Sequence, residues 1–103
     1  MSRDLAVVIT TYNYAQYLPE AVDSVLHQST AASFEIVVVD DGSTDDTPAV
    51  MAQYADDGRV RYMCQENAGE SAALNNGIAS TASDSIMFLD GDDALLARTI
   101  HEA

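Results

Sequence analysis

Four short apolar runs, separated by segments of helical character, constrain the fold of this chain more than any other feature of its sequence. The runs are LAVVIT (5–10), FEIVVVD (34–40), RVRYMCQ (59–65) and SIMFLD (85–90). The intervening helices are predicted at 15–28, 45–55 and 69–81, and another begins at residue 93. Continuous β-branched runs are typical of strands buried on both faces, and strands that alternate with helices form parallel sheets. We therefore predict a three-layer α/β sandwich with a mostly parallel sheet.

Polar clusters follow three of the four predicted strands. They are TTYN (10–13), DDGSTD (40–45) and DGDD (90–93). Ligands of open parallel sheets bind beyond the carboxyl ends of the strands, so we expect one polar, acidic site along one edge of the sheet. Within the second cluster, the side chains of Asp40 and Asp41 should point to opposite faces, because consecutive residues of a strand alternate.

The last cluster suits a metal ion. Asp90 and Asp92 are two residues apart, so in extended backbone they face the same side about 6.5 Å apart. Two such carboxylates repel each other, and a divalent cation with oxygen ligands relieves that repulsion. We predict that Asp90 and Asp92 hold this cation, whereas Asp93 suits a cap at the head of the last helix.

Simpler explanations exist for several of the other polar residues. Gly42 followed by Ser43 suits a turn and a helix cap. Tyr12 could pack over the first helix, and Asn67 with Gly69 could form no more than a turn and a helix start. The residues alone leave these alternatives open.

The charge balance limits the classes of partner. The chain has 17 acidic and 4 basic residues and a formal net charge of −13. Such a surface repels nucleic acid and anionic lipid, and a phosphorylated ligand would need a cation to bring it in. The single cysteine, Cys64, excludes an internal disulfide and suits the reducing cytoplasm. No apolar stretch approaches the roughly 18 residues of a membrane span, so we expect none in this chain.

The motifs, in this order and spacing, resemble the nucleotide-binding half of family-2 inverting glycosyltransferases with the GT-A fold. The stretches that carry the resemblance are VVITTYNYAQYLPEAVDSVLHQ, FEIVVVDDGSTDDT and ENAGESAALNNGIASTASDSIMFLDGDD, and they cover nearly all of the chain. The resemblance implies a Rossmann-like fold and an enzyme that transfers a sugar, with inversion, from a nucleotide-diphosphate donor to an acceptor hydroxyl. It further implies a UDP-sugar as donor and a role in cell-envelope polysaccharide biosynthesis.

The resemblance also implies roles for individual residues. The implied nucleotide-sugar-binding residues are Thr10, Tyr12, Asn13, Asp40, Asp41, Asn67 and Asp90. Tyr12 would stack on the base and Asp41 would accept a hydrogen bond from it, while Asp40 supports the strand end. Asp90 would lie near the ribose and sugar, and Asp92 would be the direct ligand of Mg²⁺ or Mn²⁺. The ion would stabilise the charge that develops on the departing diphosphate.

The catalytic base of this family lies well beyond the DGD motif. We therefore expect no catalytic residue within the chain and a base downstream of Ala103. On this interpretation, residues 1–103 are the nucleotide-sugar-binding part of a glycosyltransferase domain that lacks its acceptor-binding part, and they bind donor only. The face that the missing acceptor-binding part would cover should favour self-association. A parent enzyme could also associate with a membrane. One departure from the family is Leu74, where many members have arginine.

Two other classes of protein fail on the order of the motifs. A phospho-receiver domain needs acidic residues after its first strand and a lysine late in the chain, but here the first strand ends in TTYN and no lysine is present. A haloacid-type phosphatase has its aspartate pair after the first strand. One alternative remains, a non-catalytic nucleotide- or metal-binding module with the same fold.

Overall fold

A computed structural model describes residues 5–27, 33–83 and 85–90 of the chain. Strands and helices alternate throughout these residues. The elements are β1 (Leu5–Thr11), α1 (Leu18–Leu26), β2 (Phe34–Asp40), α2 (Thr47–Ala52), β3 (Val60–Cys64), α3 (Glu70–Ala79) and β4 (Ser85–Asp90). The helix predicted from residue 93 lies outside the described residues.

The four strands form one sheet in the order β3-β2-β1-β4, and every neighbouring pair is parallel. The chain builds β2 and β3 on one side of β1 and then crosses back to place β4 on the other side. In α/β sheets such a reversal opens a crevice at the carboxyl ends of the strands, where ligands bind. The predicted parallel α/β sandwich is confirmed.

The central strands are buried on both faces. On one face Val7, Ile9 and Val38 pack with the apolar residues of α1 and α2. On the other face Val8 and Val39 pack against α3, with Val37 and Ala73 in the same cluster. Burial of each such aliphatic side chain contributes about 1.5–3 kcal/mol, so the sheet and its two helical layers hold the strand ends in fixed places.

Gly77 allows α3 to lie close to the sheet. A Cβ at this position would lie 2.5 Å from Cγ1 of Val8 and 3.3 Å from Cγ2 of Val39. Glycine within a helix costs about 1 kcal/mol relative to alanine. The close packing of α3 on β1 and β2 accounts for its presence here.

The helices are shorter than the sequence pattern predicts. Residues 15–17 form a turn, in which the carbonyl oxygen of Tyr14 accepts hydrogen bonds from the N–H groups of Tyr17 and Leu18, both at 2.9 Å. Pro19 then lies in the first turn of α1, where its missing N–H has no helical partner to lose. No helix in the part of the chain that the structure describes has the length and apolar character to cross a membrane.

Candidate nucleotide site

A cavity of about 330 Å³ opens at the carboxyl ends of β1 and β2. The described residues in its wall are Thr10, Thr11, Tyr12, Tyr14, Asp41, Asn67, Gly69, Glu70 and Ala73. The rings of Tyr12 and Tyr14 are exposed, whereas Thr10 and Asp41 are buried. The end of β1, the residue after β2 and the loop from β3 to α3 thus converge on one opening that is partly aromatic and partly polar.

The carboxylate of Asp41 is held by four hydrogen bonds. Its Oδ1 accepts from Nε2 of Gln65 and from the backbone N–H of Ala68, both at 2.8 Å. Its Oδ2 accepts from the backbone N–H of Gly69 at 3.1 Å and from Nδ2 of Asn67 at 3.2 Å. The Ala68 N–H, with the other donors, holds the pKa of Asp41 below its usual value of 3.8, so the group is ionised at neutral pH.

These four donors limit how Asp41 can form the predicted hydrogen bond with a base. A carboxylate offers about four lone-pair sites, and this protein already directs four donors at them. A base N–H that binds Asp41 must therefore replace a side-chain donor or share an oxygen with one. The bond to the base stays a prediction, to which the structure adds this condition.

Asp40 turns to the opposite side of the sheet from Asp41, as the alternation of side chains predicts. Its Oδ2 accepts the O–H of Tyr62 at 2.5 Å, and its Oδ1 accepts the backbone N–H of Ser43 at 2.8 Å. Burial and this hydrogen bond raise the pKa of Tyr62. Asp40 is 2% exposed and is absent from the cavity wall. Asp40 therefore stabilises the end of β2 and affects the cavity only indirectly.

Asn13 ties the loop after β1 to the loop after β2. Its backbone N–H donates to Oγ of Ser43, and its Oδ1 accepts the backbone N–H of Thr44, both at 2.8 Å. Its φ of 57° lies in the left-handed region, which asparagine tolerates better than most residues. Asn13 does not line the cavity beside Tyr12. It borders a second, more open cavity of about 360 Å³, lined also by Ala15, Gln16, Asp45, Asp46 and Val50.

Gly42 lets the loop from β3 to α3 approach the end of β2. Its φ is +82°, and a Cβ there would lie 2.9 Å from the backbone nitrogen of Asn67. Nδ2 of Asn67 also donates to the backbone oxygen of Asp41 at 2.9 Å. Asn67 therefore does more than form a turn, because its amide fixes the loop to the strand end while it lines the cavity.

The electrostatic character of the cavity is negative. Asp41 and Glu70 are in its wall, and neither of the arginines that the structure describes is. Among the residues that the structure describes, the two arginines lie in ion pairs elsewhere, Arg59 with Asp57 at 3.0 Å and Arg61 with Glu35 at 2.6 Å. A diphosphate bound beside this cavity would need positive charge from another source.

The end of β4 lies beside the end of β1, because Asp90 is the register partner of Thr10. The side chain of Asp90 and the whole of Asp92 lie outside the described residues. Within residues 5–27, 33–83 and 85–90, no group of three or more histidine, cysteine or acidic side chains could hold a metal ion. The carboxylates of Asp90 and Asp92 are oxygen ligands of the kind that Mg²⁺ and Mn²⁺ prefer, so the donor chemistry fits the predicted ion.

Comparison with known proteins identifies the family. A family model described as glycosyl transferase family 2 matches residues 6–103. The chain belongs to this family. An uncharacterized glycosyltransferase of Nostoc sp. is 42% identical over 91 residues, which are 86% of this chain and 28% of the relative. These matches confirm the predicted relationship to family-2 glycosyltransferases.

Two solved structures place this family-2 chain in a structural context. S. aureus TarS 1–349 in complex with UDP-GlcNAc has a TM-score of 0.85 at 27% identity, over 99% of this chain and 30% of that one. The mannosyltransferase PcManGT from Pyrobaculum calidifontis, in complex with GDP-Man and Mn²⁺, has a TM-score of 0.82 at 27% identity, over 95% of this chain and 30% of that one. They confirm the Rossmann-like GT-A fold. The chain spans about a third of the length of these two structures.

The site of this family-2 chain, which comprises the cavity wall and the side chains that hold Asp41, includes residues to which the sequence pattern assigned no role. Tyr14 could have been predicted from the sequence, because it lies two residues after Tyr12 in the same loop. In the structure its ring packs edge-on against Tyr17, with ring centroids 6.3 Å apart. Thr11 lies in the TTYN cluster but was assigned no role of its own, and its Oγ1 is a buried atom without a hydrogen-bond partner among the described residues. Gln65 gave no signal, because its contact with Asp41 depends on how the end of β3 meets the end of β2.

Proposed function

We propose that this chain is the donor-binding part of a metal-dependent, inverting glycosyltransferase that transfers a sugar from a nucleotide diphosphate to an acceptor hydroxyl. The cavity at the ends of β1 and β2 carries the proposal. It combines exposed aromatic rings with buried hydrogen-bonding groups, next to the strand at which the sheet order reverses. The complexes of TarS with UDP-GlcNAc and of PcManGT with GDP-Man support it.

The base would lie against Tyr12. This ring is 45% exposed and forms part of the cavity wall, and stacking of a base on an aromatic ring contributes about 1–3 kcal/mol. The cavity volume of about 330 Å³ is at the lower end of the usual range for ligand pockets and suits a base with its ribose. An ionised Asp41 accepts hydrogen bonds and cannot donate them, which suits the N–H groups that every common base has on its pairing edge. UDP is the proposed nucleotide because of the family resemblance and the complex of TarS with UDP-GlcNAc.

The diphosphate would extend toward the end of β4, where Asp90 and Asp92 would hold Mg²⁺ or Mn²⁺. The part of the chain that the structure describes offers no basic side chain at the cavity to neutralise phosphate charge. When bound, the ion stabilises the negative charge on the leaving diphosphate. The carboxylates of the DGD motif would thus make an acidic chain competent to bind an anionic donor.

Transfer with inversion also needs a general base at the acceptor hydroxyl, which contributes typically 10²–10⁴ in rate. We propose that this base and the acceptor-binding part belong to a longer parent protein. In support, the chain spans 28% of the Nostoc relative and 30% of the TarS structure. The 103-residue chain should accordingly bind donor and give no sugar transfer in a product assay.

Isothermal titration calorimetry with UDP tests this function. In the presence of Mn²⁺ we expect saturable binding, which weakens at least tenfold, about 1.4 kcal/mol, on chelation of the metal or in Asp92→Asn. Asp56→Asn is the control, because Asp56 is an exposed carboxylate in the turn after α2 and is not in the cavity wall. Unchanged affinity in Asp92→Asn would refute the metal assignment, and absence of UDP binding with Mn²⁺ present would refute the proposed function.

A further inference from the structure

Two amide side chains outside the cavity wall form a chain of hydrogen bonds that ends on Asp41. Asn76 of α3 donates from Nδ2 to Oε1 of Gln65, and Gln65 donates from Nε2 to Oδ1 of Asp41 at 2.8 Å. The backbone N–H of Gln65 also donates to the backbone oxygen of Asp40 at 2.9 Å, which fixes the residue at the end of β3. The linked side chains thus come from α3, from the end of β3 and from the end of β2.

The hydrogen bond from Asn76 and the charge of Asp41 favour the same orientation of the Gln65 amide. A primary amide presents an acceptor oxygen on one side and two N–H donors on the other. Because Asn76 donates to the Gln65 oxygen, the NH₂ group of Gln65 faces the carboxylate. The reverse orientation would set the Gln65 oxygen against the anionic Oδ1 of Asp41, and two acceptors at hydrogen-bond distance repel each other.

We propose that Gln65, oriented by Asn76, is a positioning residue of the nucleotide site that holds the Asp41 carboxylate in one orientation at the cavity. Gln65 is absent from the cavity wall, so it acts through Asp41 and not by contact with ligand. It supplies the side-chain donor on Oδ1, whereas Ala68 supplies the backbone donor. The identity of the ligand, a uridine nucleotide, rests on the proposed function.

Removal of this support should weaken nucleotide binding without abolishing it. Asp41 would keep the backbone donors Ala68 and Gly69 and the Asn67 amide, but its Oδ1 would lose its side-chain donor, so the carboxylate would sample other orientations in the free protein. Ordering one side chain on binding lowers affinity by roughly three- to tenfold. We expect a loss of this size in Gln65→Leu, which is similar in volume and makes neither hydrogen bond. Gln53→Leu is the control, because Gln53 is an exposed glutamine whose Nε2 donates to the carbonyl of Val50 away from the cavity.

A second pair of variants separates orientation from general charge. Asn76→Asp places a carboxylate beside Gln65, which favours the flipped amide and turns its oxygen toward Asp41. Asn75→Asp adds the same charge to the neighbouring exposed position of α3. We expect Asn76→Asp to bind UDP with Mn²⁺ at least threefold more weakly than Asn75→Asp, and Asn76→Ala to lie between them. Equal affinities of the two aspartate variants would overturn the proposal.

A readout in the free protein distinguishes this inference from the proposed function. The titration of the Asp41 side-chain carboxyl, followed by ¹³C NMR, should show a higher pKa in Gln65→Leu and Asn76→Asp than in the parent chain. Gln53→Leu and Asn75→Asp should leave that pKa near the parent value. Unshifted titrations would refute the positioning role even if UDP binds, whereas shifted titrations without UDP binding by the parent chain would sustain it and refute the nucleotide assignment.

Discussion

The backbone N–H of Ala68 donates to Oδ1 of Asp41 across 2.8 Å, and the N–H of Gly69 donates to Oδ2 at 3.1 Å. These bonds attach the loop from β3 to α3 to the end of β2. Ala68 and Gly69 follow Asp41 in the sequence by 27 and 28 residues. Together with the side-chain donors Gln65 and Asn67, their N–H groups hold the carboxylate in a fixed place before any ligand arrives, which limits the ordering that binding requires. This pre-built anionic wall is the central feature of the proposed donor site.

Asp41→Asn should destabilise the fold. An asparagine keeps one acceptor oxygen and turns an NH₂ group toward donors that need an acceptor, and buried groups left without partners cost about 1–3 kcal/mol. Urea unfolding at neutral pH measures this loss. Asp56→Asn, at an exposed turn, should change the free energy of unfolding by no more than about 0.5 kcal/mol. A loss no larger for Asp41→Asn than for Asp56→Asn would contradict the structural role of Asp41.

The stability of the chain should depend on pH through its bonded carboxylates. In the folded state the pKa of Asp41 is lowered by the N–H of Ala68 and by the other donors to the carboxylate. The hydroxyl of Thr47 lowers the pKa of Asp45, and the guanidinium of Arg59 lowers that of Asp57. A group with a depressed folded pKa stabilises the protein fully above its unfolded value, near 3.8, and loses that contribution as the pH falls through the folded pKa. We therefore expect the difference in urea midpoint between the parent chain and Asp41→Asn to become smaller below about pH 4, in a series from about pH 6 to about pH 2.5. A difference that stays constant over this range would contradict the lowered pKa of Asp41.

Much of the fold could be predicted because its strands are continuous β-branched runs. The bounds of β2 and β4 agree with the prediction, β1 is one residue longer at its end, and β3 is one residue shorter at each end. The helix ends were less predictable, since hydrogen bonds to Tyr14 form a separate turn before α1. Periodicity records which residues are apolar but not where the first helical hydrogen bond forms.

The site could be predicted as a set of strand ends but not as a network. The sequence indicated that Thr10, Tyr12 and Asp41 would meet at one edge of the sheet, and all three line the cavity. It could not indicate the donors to Asp41, because these depend on the path of the loop after Gln65. For the same reason, the place of Asn13 beside the cavity, and not in its wall, became apparent only from its hydrogen bonds to Ser43 and Thr44.

Gly42→Ala should destabilise the fold by about 1–3 kcal/mol, because a side chain at a φ of +82° is strained and its Cβ would lie 2.9 Å from the Asn67 nitrogen. Gly58→Ala is the matched control. No atom lies within 4 Å of a Cβ at Gly58, so this change should be neutral or stabilise the fold by up to about 1 kcal/mol. Comparison of the two urea unfolding curves tests the expectation. It fails if the two alanine variants unfold alike.

Tyr12→Leu should weaken UDP binding by about 1–3 kcal/mol, roughly 5- to 150-fold, through loss of the stacking surface. Tyr17→Leu is the matched control, because both tyrosines are 45% exposed but only Tyr12 is in the cavity wall. Calorimetric titration with UDP and Mn²⁺ measures both variants. A loss of similar size in the two would mean that Tyr12 does not stack on the base.

A crystal structure of the chain with UDP and Mn²⁺ tests the central claim most directly. We predict that the base lies between the ends of β1 and β2, against the ring of Tyr12 and within hydrogen-bond distance of Asp41, with the diphosphate directed toward the end of β4. A base bound instead in the second cavity beside Asn13, or near Asn76 of α3, would contradict the account.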